Sequence, residues 1–305
     1  MSARAPRTAW EELPDSVIDA VEAQFGRVLK AETMSGGIMP GVVARLDIER
    51  GDREQVFVKA IDRTHEAARL HLRERWAGEN LPEDTPAPRM LWADTLGGWH
   101  AAVWEYVGDN ARHADLSPAS PDLAPVLDTM ALLGAILTPC PNGAMPVSDN
   151  VKALVAKGRA LLDGPIGELP DRELFEEAFE GLDPAHLGGD TLLHYDLSAS
   201  NLLVAGQRVK VVDWSFAARG PAWLDAALFA PRLVEAGHAP GKVDALLTTL
   251  TPWKSAPRPA VAGIAAAWTL FREYKARYGP KEIRDARARA AEAGRAWLAH
   301  QRARG

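Results

Sequence analysis

Four polar side chains stand close together in residues 191–213: His194, Asp196, Asn201 and Asp213. The segment reads TLLHYDLSASNLLVAGQRVKVVD, so H-x-D-x4-N is followed, after a turn, by a second aspartate. This set suits phosphoryl transfer, where catalysis rests on positioning and charge neutralisation more than on covalent chemistry. One carboxylate must orient an attacking hydroxyl and accept its proton. An amide oxygen and a second carboxylate, both hard ligands, must hold Mg2+ against nucleotide phosphates. Asp196, Asn201 and Asp213 supply those groups in that order. A lone H-x-D more often caps the end of a strand; here Asn201 and Asp213 stand in register with it.

The elements that must carry these groups are a short apolar strand, a polar loop and a hairpin. Residues 202–204 and 209–212 are the hairpin strands, and Ala205-Gly206-Gln207-Arg208 turns between them. A tight loop and a hairpin can bring the three oxygen-bearing side chains to one point.

With those residues in place, HYDLSASN and VVDW resemble the catalytic and metal-binding loops of the aminoglycoside phosphotransferase family, small-molecule relatives of protein kinases. The protein-kinase version is H-R-D-x4-N and then D-F-G. Here Trp214-Ser215 follows the aspartate, closer to the D-W of the antibiotic kinases, while Tyr195 departs from the small residue usual at its position. By the same resemblance, Asp225 in RGPAWLD braces the catalytic loop through its backbone.

Upstream, residues 10–25 have the apolar spacing of an amphipathic helix stopped by Gly26, and strands are expected over 28–34, 42–50 and 55–61. The first two are joined by a glycine-containing loop, residues 35–41, in which Ser35, Gly36 and Gly37 can let backbone approach a phosphate. A simple hairpin turn is the commoner explanation of such a loop, and no Walker A sequence occurs. In Val56-Phe57-Val58-Lys59-Ala60 the lysine sits among apolar neighbours. It either points into a cleft and neutralises α- and β-phosphates or reaches solvent from an edge strand. The family pattern V-x-V-K favours the first.

The resemblance also implies a glutamate that holds this lysine. Glu66 and Glu74 both lie in the helical stretch 64–78, and Glu74 fits the family spacing between Lys59 and Pro88 better. A further strand is expected over 86–94, a turn at Leu96-Gly97-Gly98 and a strand over 99–106. By resemblance the hinge follows, where backbone around Glu105 to Val107 binds adenine. The base is then ATP's, with GTP open, because backbone groups do the reading.

Beyond Gly108-Asp109-Asn110 the chain turns helical, at 123–137, at 147–162 and through 240–305. Residues 163–190 are rich in Asp and Glu, against a single Arg172. Such runs are mostly solvated faces, yet the resembling enzymes place helices here that grip polycationic antibiotics, and a negative rim would draw in a cation. The basic stretch 281–304 reads as an exposed terminal helix.

Composition bounds the remaining classes. A length of 305 residues suggests about two domains, and 47% hydrophobic with 25% charged residues is ordinary for a globular protein. No apolar run reaches membrane-spanning length and the N-terminus lacks an apolar signal core, so a cytoplasmic protein is expected. The single Cys140 excludes an internal disulfide framework and a CxxC metal site. A net charge of −6 weighs against nucleic acid as partner.

The expectation is therefore an α+β, two-lobed protein-kinase-like fold. Residues 1–107 would form a small nucleotide-binding lobe, with an antiparallel sheet and one main helix. Residues 108–305 would form a larger, mostly helical catalytic and substrate-binding lobe. The expected enzyme is a small-molecule kinase that moves the γ-phosphoryl group of ATP to a hydroxyl of a small, cationic molecule. Its site comprises Asp196 as catalytic group, Asn201 and Asp213 on Mg2+, and Lys59, Glu74, Ser35, Gly36, Gly37, Glu105 and Val107 on the nucleotide. A catalytically silent nucleotide-binding module is the rival. It has no need to keep all three of Asp196, Asn201 and Asp213.

Overall fold

Alternation of apolar residues builds the first sheet. In the computed structural model, which describes residues 7–34, 40–49, 54–164 and 169–304, helix α1 (Asp15–Phe25) precedes strands β1 (Val28–Thr33), β2 (Val42–Ile48) and β3 (Gln55–Asp62). Helix α2 (Ala68–Asn80) follows, and then β4 (Met90–Leu96) and β5 (Trp99–Glu105). The five strands are antiparallel in the order β1-β2-β3-β5-β4. Val42, Ala44, Leu46 and Ile48 share a face with Val56, Val58 and Ala60, and these pack with Val17 and Val21 of α1 in one core. Because strand side chains alternate, Lys59 between Val58 and Ala60 must leave by the opposite face, where α2 packs against β3, β4 and β5.

Two boundaries differ from expectation, each for a local reason. The helix expected over 10–25 is split. A 3-10 turn at Trp10–Glu12 gives way to Leu13 with φ −68° and ψ 152°, and α1 starts only at Asp15. A residue before proline is pushed out of the helical region, and Pro14 does that here. Helix α2 starts at Ala68 and not at Thr64, because the Asp62 carboxylate accepts from both the Thr64 N–H and its hydroxyl, each at 2.8 Å. That local turn competes with the first helical turn.

The rest of the chain is mostly helical. In order come β6 (Arg112–His113), α3 (Leu123–Ile136), α4 (Val147–Leu162), α5 (Arg172–Glu180), β7 (Thr191–Leu193), β8 (Leu202–Ala205), β9 (Arg208–Val211) and β10 (Ala218–Gly220). Four helices close the chain: α6 (Leu224–Glu235), α7 (Pro240–Leu247), α8 (Arg258–Tyr278) and α9 (Lys281–Arg302). Gly279-Pro280 joins α8 to α9, and both helices pack on α6. The architecture is thus mixed, with an antiparallel N-terminal sheet and a helical C-terminal part.

The described residues fall into two compact units. One is drawn from Met1–Glu83, Ala87–Ala111 and Lys210–Phe216, the other from Asp84–Pro86, Arg112–Val209 and Ala217–Gly305. Among the described residues no helix is long and apolar enough to cross a membrane.

Helices α8 and α9 meet at Gly294, where an added Cβ would lie 2.2 Å from Thr269 Oγ1. Thr269 cannot turn aside freely, since its hydroxyl donates to the Ala265 carbonyl at 2.6 Å. Gly294→Ala gains about 1 kcal/mol of helix propensity, but overpacking typically costs about 1–3 kcal/mol. A lowered Tm in a thermal melt is therefore expected, and a raised one would show that α9 can shift outward.

Candidate active site

In the N-terminal unit three segments converge on one buried cation. Lys59 Nζ reaches both Glu74 carboxylate oxygens, at 2.6 and 2.9 Å, and Asp213 Oδ1 at 3.7 Å. Burial pulls the ammonium pKa down, but the Asp213 and Glu74 carboxylates outweigh it and hold Lys59 above the ordinary lysine range. The Glu74 carboxyl is raised, first by burial, against the pull of Lys59 and of a hydrogen bond from the Trp214 backbone N–H. Glu66 lies ahead of α2 and outside the helix, so the choice between the two glutamates falls to Glu74. His71, one helical turn before Glu74, is also buried. Burial, with Lys59 next in weight, depresses its pKa to about 4, which keeps the ring neutral. Sequence reasoning missed His71; its i, i+3 spacing to Glu74 is the signal that marks it.

Asp213 has a left-handed backbone, φ 64°, and its Oδ1 accepts the Ser215 hydroxyl. The indole N–H of Trp214 donates to the Val211 carbonyl at 3.1 Å. The residues after β9 thus form a fixed turn that presents a carboxylate. At the end of β5, the Glu105 N–H donates to Arg89 O at 2.9 Å. The described residues offer the Val107 N–H and C=O no hydrogen-bond partner. Ser35, Gly36 and Gly37 lie outside the described residues, as does the turn at Gly51-Asp52. The end of that first loop is described: Gly41 has φ 90°, and a Cβ there would lie 2.2 Å from the Ala60 carbonyl. Only glycine fits so close to β3.

In the C-terminal unit Asp225 organises the loop. Its Oδ2 accepts the His194 N–H at 2.9 Å and its Oδ1 the Tyr195 N–H at 2.7 Å. Burial raises the Asp225 carboxyl, while His194 and those two N–H groups pull it back. Between them they hold Tyr195 at φ 71°, a conformation a bulky side chain rarely adopts. The Asp196 N–H faces His194 Nδ1 at 3.3 Å. Asn201 donates Nδ2 to the Asp196 carbonyl at 2.9 Å. Among the described residues its Oδ1 meets only the Ser200 hydroxyl, at 3.5 Å, so the oxygen is the end left for a cation. Strand β7 fixes the start of this loop by pairing with β10, Leu193 opposite Ala218.

The Asp196 carboxylate has a partner that sequence reasoning did not find. Arg232, on α6, makes an ion pair with Asp196 Oδ1. No local spacing announces it.

The donor chemistry fits a magnesium ion. Mg2+ takes one or two protein oxygens and completes its shell with phosphate and water, and Asn201 and Asp213 each offer such an oxygen. Among the described residues no three His, Cys, Asp or Glu side chains gather as a metal cluster.

Four of the nine acids in the stretch 163–190 have partners within the chain. Asp183 caps a short 3-10 helix through the Ala185 N–H. Glu176 meets Arg172 at 3.4 Å, Glu177 meets Arg302 at 3.0 Å, and Asp190 meets Arg219 at 3.0 Å.

The sequence profile of the phosphotransferase enzyme family matches residues 45–299. No curated protein matches the chain. Among solved structures, an aminoglycoside phosphotransferase from Alicyclobacillus acidocaldarius is 17% identical, with 99% of each chain covered and a TM-score of 0.63. A thermostable mutant of aminoglycoside phosphotransferase APH(4)-Ia, in ternary complex with AMP-PNP and hygromycin B, is 16% identical with a TM-score of 0.60, over 92% of this chain and 98% of that one. A choline/ethanolamine kinase family protein from Mesorhizobium loti is 17% identical with a TM-score of 0.53, over 93% of this chain and 98% of that one. At such identities the likeness speaks for the fold, which is kinase-like. The family profile covers far more than half of the sequence, and the chain therefore belongs to the phosphotransferase enzyme family and is a small-molecule kinase.

Proposed function

We propose that the protein transfers the γ-phosphoryl group of ATP to a hydroxyl of a small molecule, with Asp196 as base. The observation that supports this most is Lys59, held by Glu74 at 2.6 Å and facing Asp213 at 3.7 Å. A largely buried ammonium fixed between two carboxylates matches the part that such enzymes use to cradle phosphate oxygens. In the proposed reaction Asp196 orients the acceptor hydroxyl and takes its proton as the new O–P bond forms. The bond from the γ-phosphorus to its bridging oxygen breaks and ADP leaves. Asn201 and Asp213 would hold Mg2+, and charge neutralisation on the phosphates is what that ion supplies. Lys59 would hold phosphate oxygens, with Glu74 fixing it. Ser35, Gly36 and Gly37 are assigned to the phosphates, and backbone at Glu105 and Val107 to the base.

The N-terminal residues, 1–107 on this reading, bind the nucleotide, and 108–305 carry the base and the acceptor. ATP is favoured over GTP by the AMP-PNP bound to APH(4)-Ia. A cationic acceptor has two supports: hygromycin B on APH(4)-Ia, and the exposed Glu173 and Glu180 of the acidic stretch. Against it stands the engagement of Glu176, Glu177, Asp183 and Asp190 within the chain.

Three outcomes follow. In a coupled nucleotide-consumption assay on an accepted substrate, Asp196→Asn should lose at least about a hundredfold in turnover while calorimetry finds MgATP binding within twofold. Full turnover in that variant would remove Asp196 from the role of base. Lys59→Met should weaken MgATP binding and also lower Tm, because removing one partner of a buried pair typically costs about 3–5 kcal/mol. Adding Glu74→Gln should recover part of the stability and none of the binding; a double variant no more stable than the single would deny the coupling. Asp225→Ala strips the acceptor from two backbone N–H groups, at about 1–3 kcal/mol each. It should depress both Tm and turnover, and undiminished turnover would show that the loop holds its shape without Asp225.

A further inference from the structure

The C-terminal unit holds arginines for which the transfer chemistry has no use. Arg272, on α8, is only 7% exposed. Its guanidinium lies over the Trp268 ring at 4.5 Å and near the Phe271 ring at 5.4 Å. Among the described residues it makes no hydrogen bond and no ion pair, and its buried Nε has no acceptor. Arg232 stands over the same Trp268 ring at 5.9 Å while it pairs with Asp196. Arg287, half-buried on α9, completes the group, since Arg232, Arg272 and Arg287 act on one another electrostatically. Two carboxylates act on Arg272 and Arg287: Asp196 and Glu235. Arg232 and Arg272 thus share the Trp268 ring, and Arg232 pairs with the proposed base, Asp196.

A buried charge without a counter-ion is expensive to keep. Burial, and then Arg232 and Arg287, press the Arg272 pKa down to about 9, yet the fold retains the residue. The Trp268 ring 4.5 Å away offers the guanidinium no hydrogen-bond acceptor, and its N–H donors have no partner among the described residues. The edge that bears those donors is the part of arginine that matches a carboxylate or phosphate in a two-point contact.

We infer that Arg272, with Arg287 and Arg232, forms an oxyanion subsite beside Asp196, so that the acceptor is a hydroxyl compound carrying a carboxylate or a phosphate and not a cation. The inference rests on the reading of Asp196 as base, which sets the acceptor next to these arginines. It reverses the expectation drawn from the acidic stretch, whose carboxylates lie on other elements and four of which have partners within the chain.

The test is calorimetry on the full chain loaded with MgADP, using four probes on one carbon skeleton or of its size: D-glycerate, glycerol 3-phosphate, glycerol and choline. One or both anions should bind, more tightly than glycerol or choline, and the stronger of the two tells carboxylate from phosphate. Arg272→Met should weaken that binding at least tenfold, and Arg272→Lys should restore part of it. If Arg272→Met fails to give the wild-type far-UV dichroism spectrum, Arg287→Met takes its place with the same expected loss. The inference is overturned if choline or glycerol binds as well as the anions, if the methionine variants leave anion binding within twofold, or if none of the four binds. Failure of the phosphotransferase reading looks different. The wild-type chain would then not bind MgADP, and the anion titrations could still be read on the unloaded protein.

Discussion

An ammonium cannot be taken out of water without carboxylates to receive it, and Lys59 imposes that condition on the N-terminal unit. Its position on β3, between two residues committed to the α1 core, sends the side chain to the α2 face. Glu74 must then lie on the facing turn of α2, and the segment after β9 must return to within 3.7 Å with Asp213. The Trp214 N–H on Glu74 ties the same two segments a second time. Sheet register, helix placement and the return of residues 210–216 are thus joined through one charge. The chemistry comes with the arrangement, since the groups that satisfy Lys59 are also those that would handle phosphate and its cation.

The C-terminal unit solves a comparable problem with backbone. Tyr195 sits in a conformation disfavoured for a large side chain, and such strain persists only when neighbours over-determine it. Asp225, in the first turn of α6, does so by accepting two successive N–H groups of the loop, at 2.9 and 2.7 Å. Arg232 belongs to the same helix as Asp225 and meets Asp196 on the same loop. One helix therefore both shapes the loop and sets the charge beside its carboxylate.

What the sequence reveals of this follows the range of the signal. Lys59 is legible because alternation along a strand fixes which face a side chain takes. Glu74 is legible because a helix of known phase must reach that face, and Glu66 fails because Asp62 and Thr64 delay the helix. Asn201 and Asp213 announce themselves by spacing along one loop and hairpin. The break at Pro14 was written in the sequence too, but the apolar period of residues 10–25 runs across it. Arg232, Arg272 and Arg287 are different. They lie on three helices whose mutual rotation depends on contacts such as Gly294 against Thr269, and no local pattern encodes that.

This difference in range separates the acidic stretch from the buried arginines as guides to the acceptor's charge. A count of Asp and Glu along 163–190 measures surface charge, and exposed charges are screened over about 8 Å in physiological salt. Several of those carboxylates also have partners within the chain, Arg172, Arg219 and Arg302 among them. A guanidinium that is nine-tenths buried is screened far less, so Arg272 acts on its surroundings more strongly than an exposed glutamate does. Where a sparse interior charge and a dense surface charge have opposite signs, the interior one governs what can sit beside it. On the inferred reading the sign of the acceptor follows helix packing, and the net charge of −6 carries little information about it.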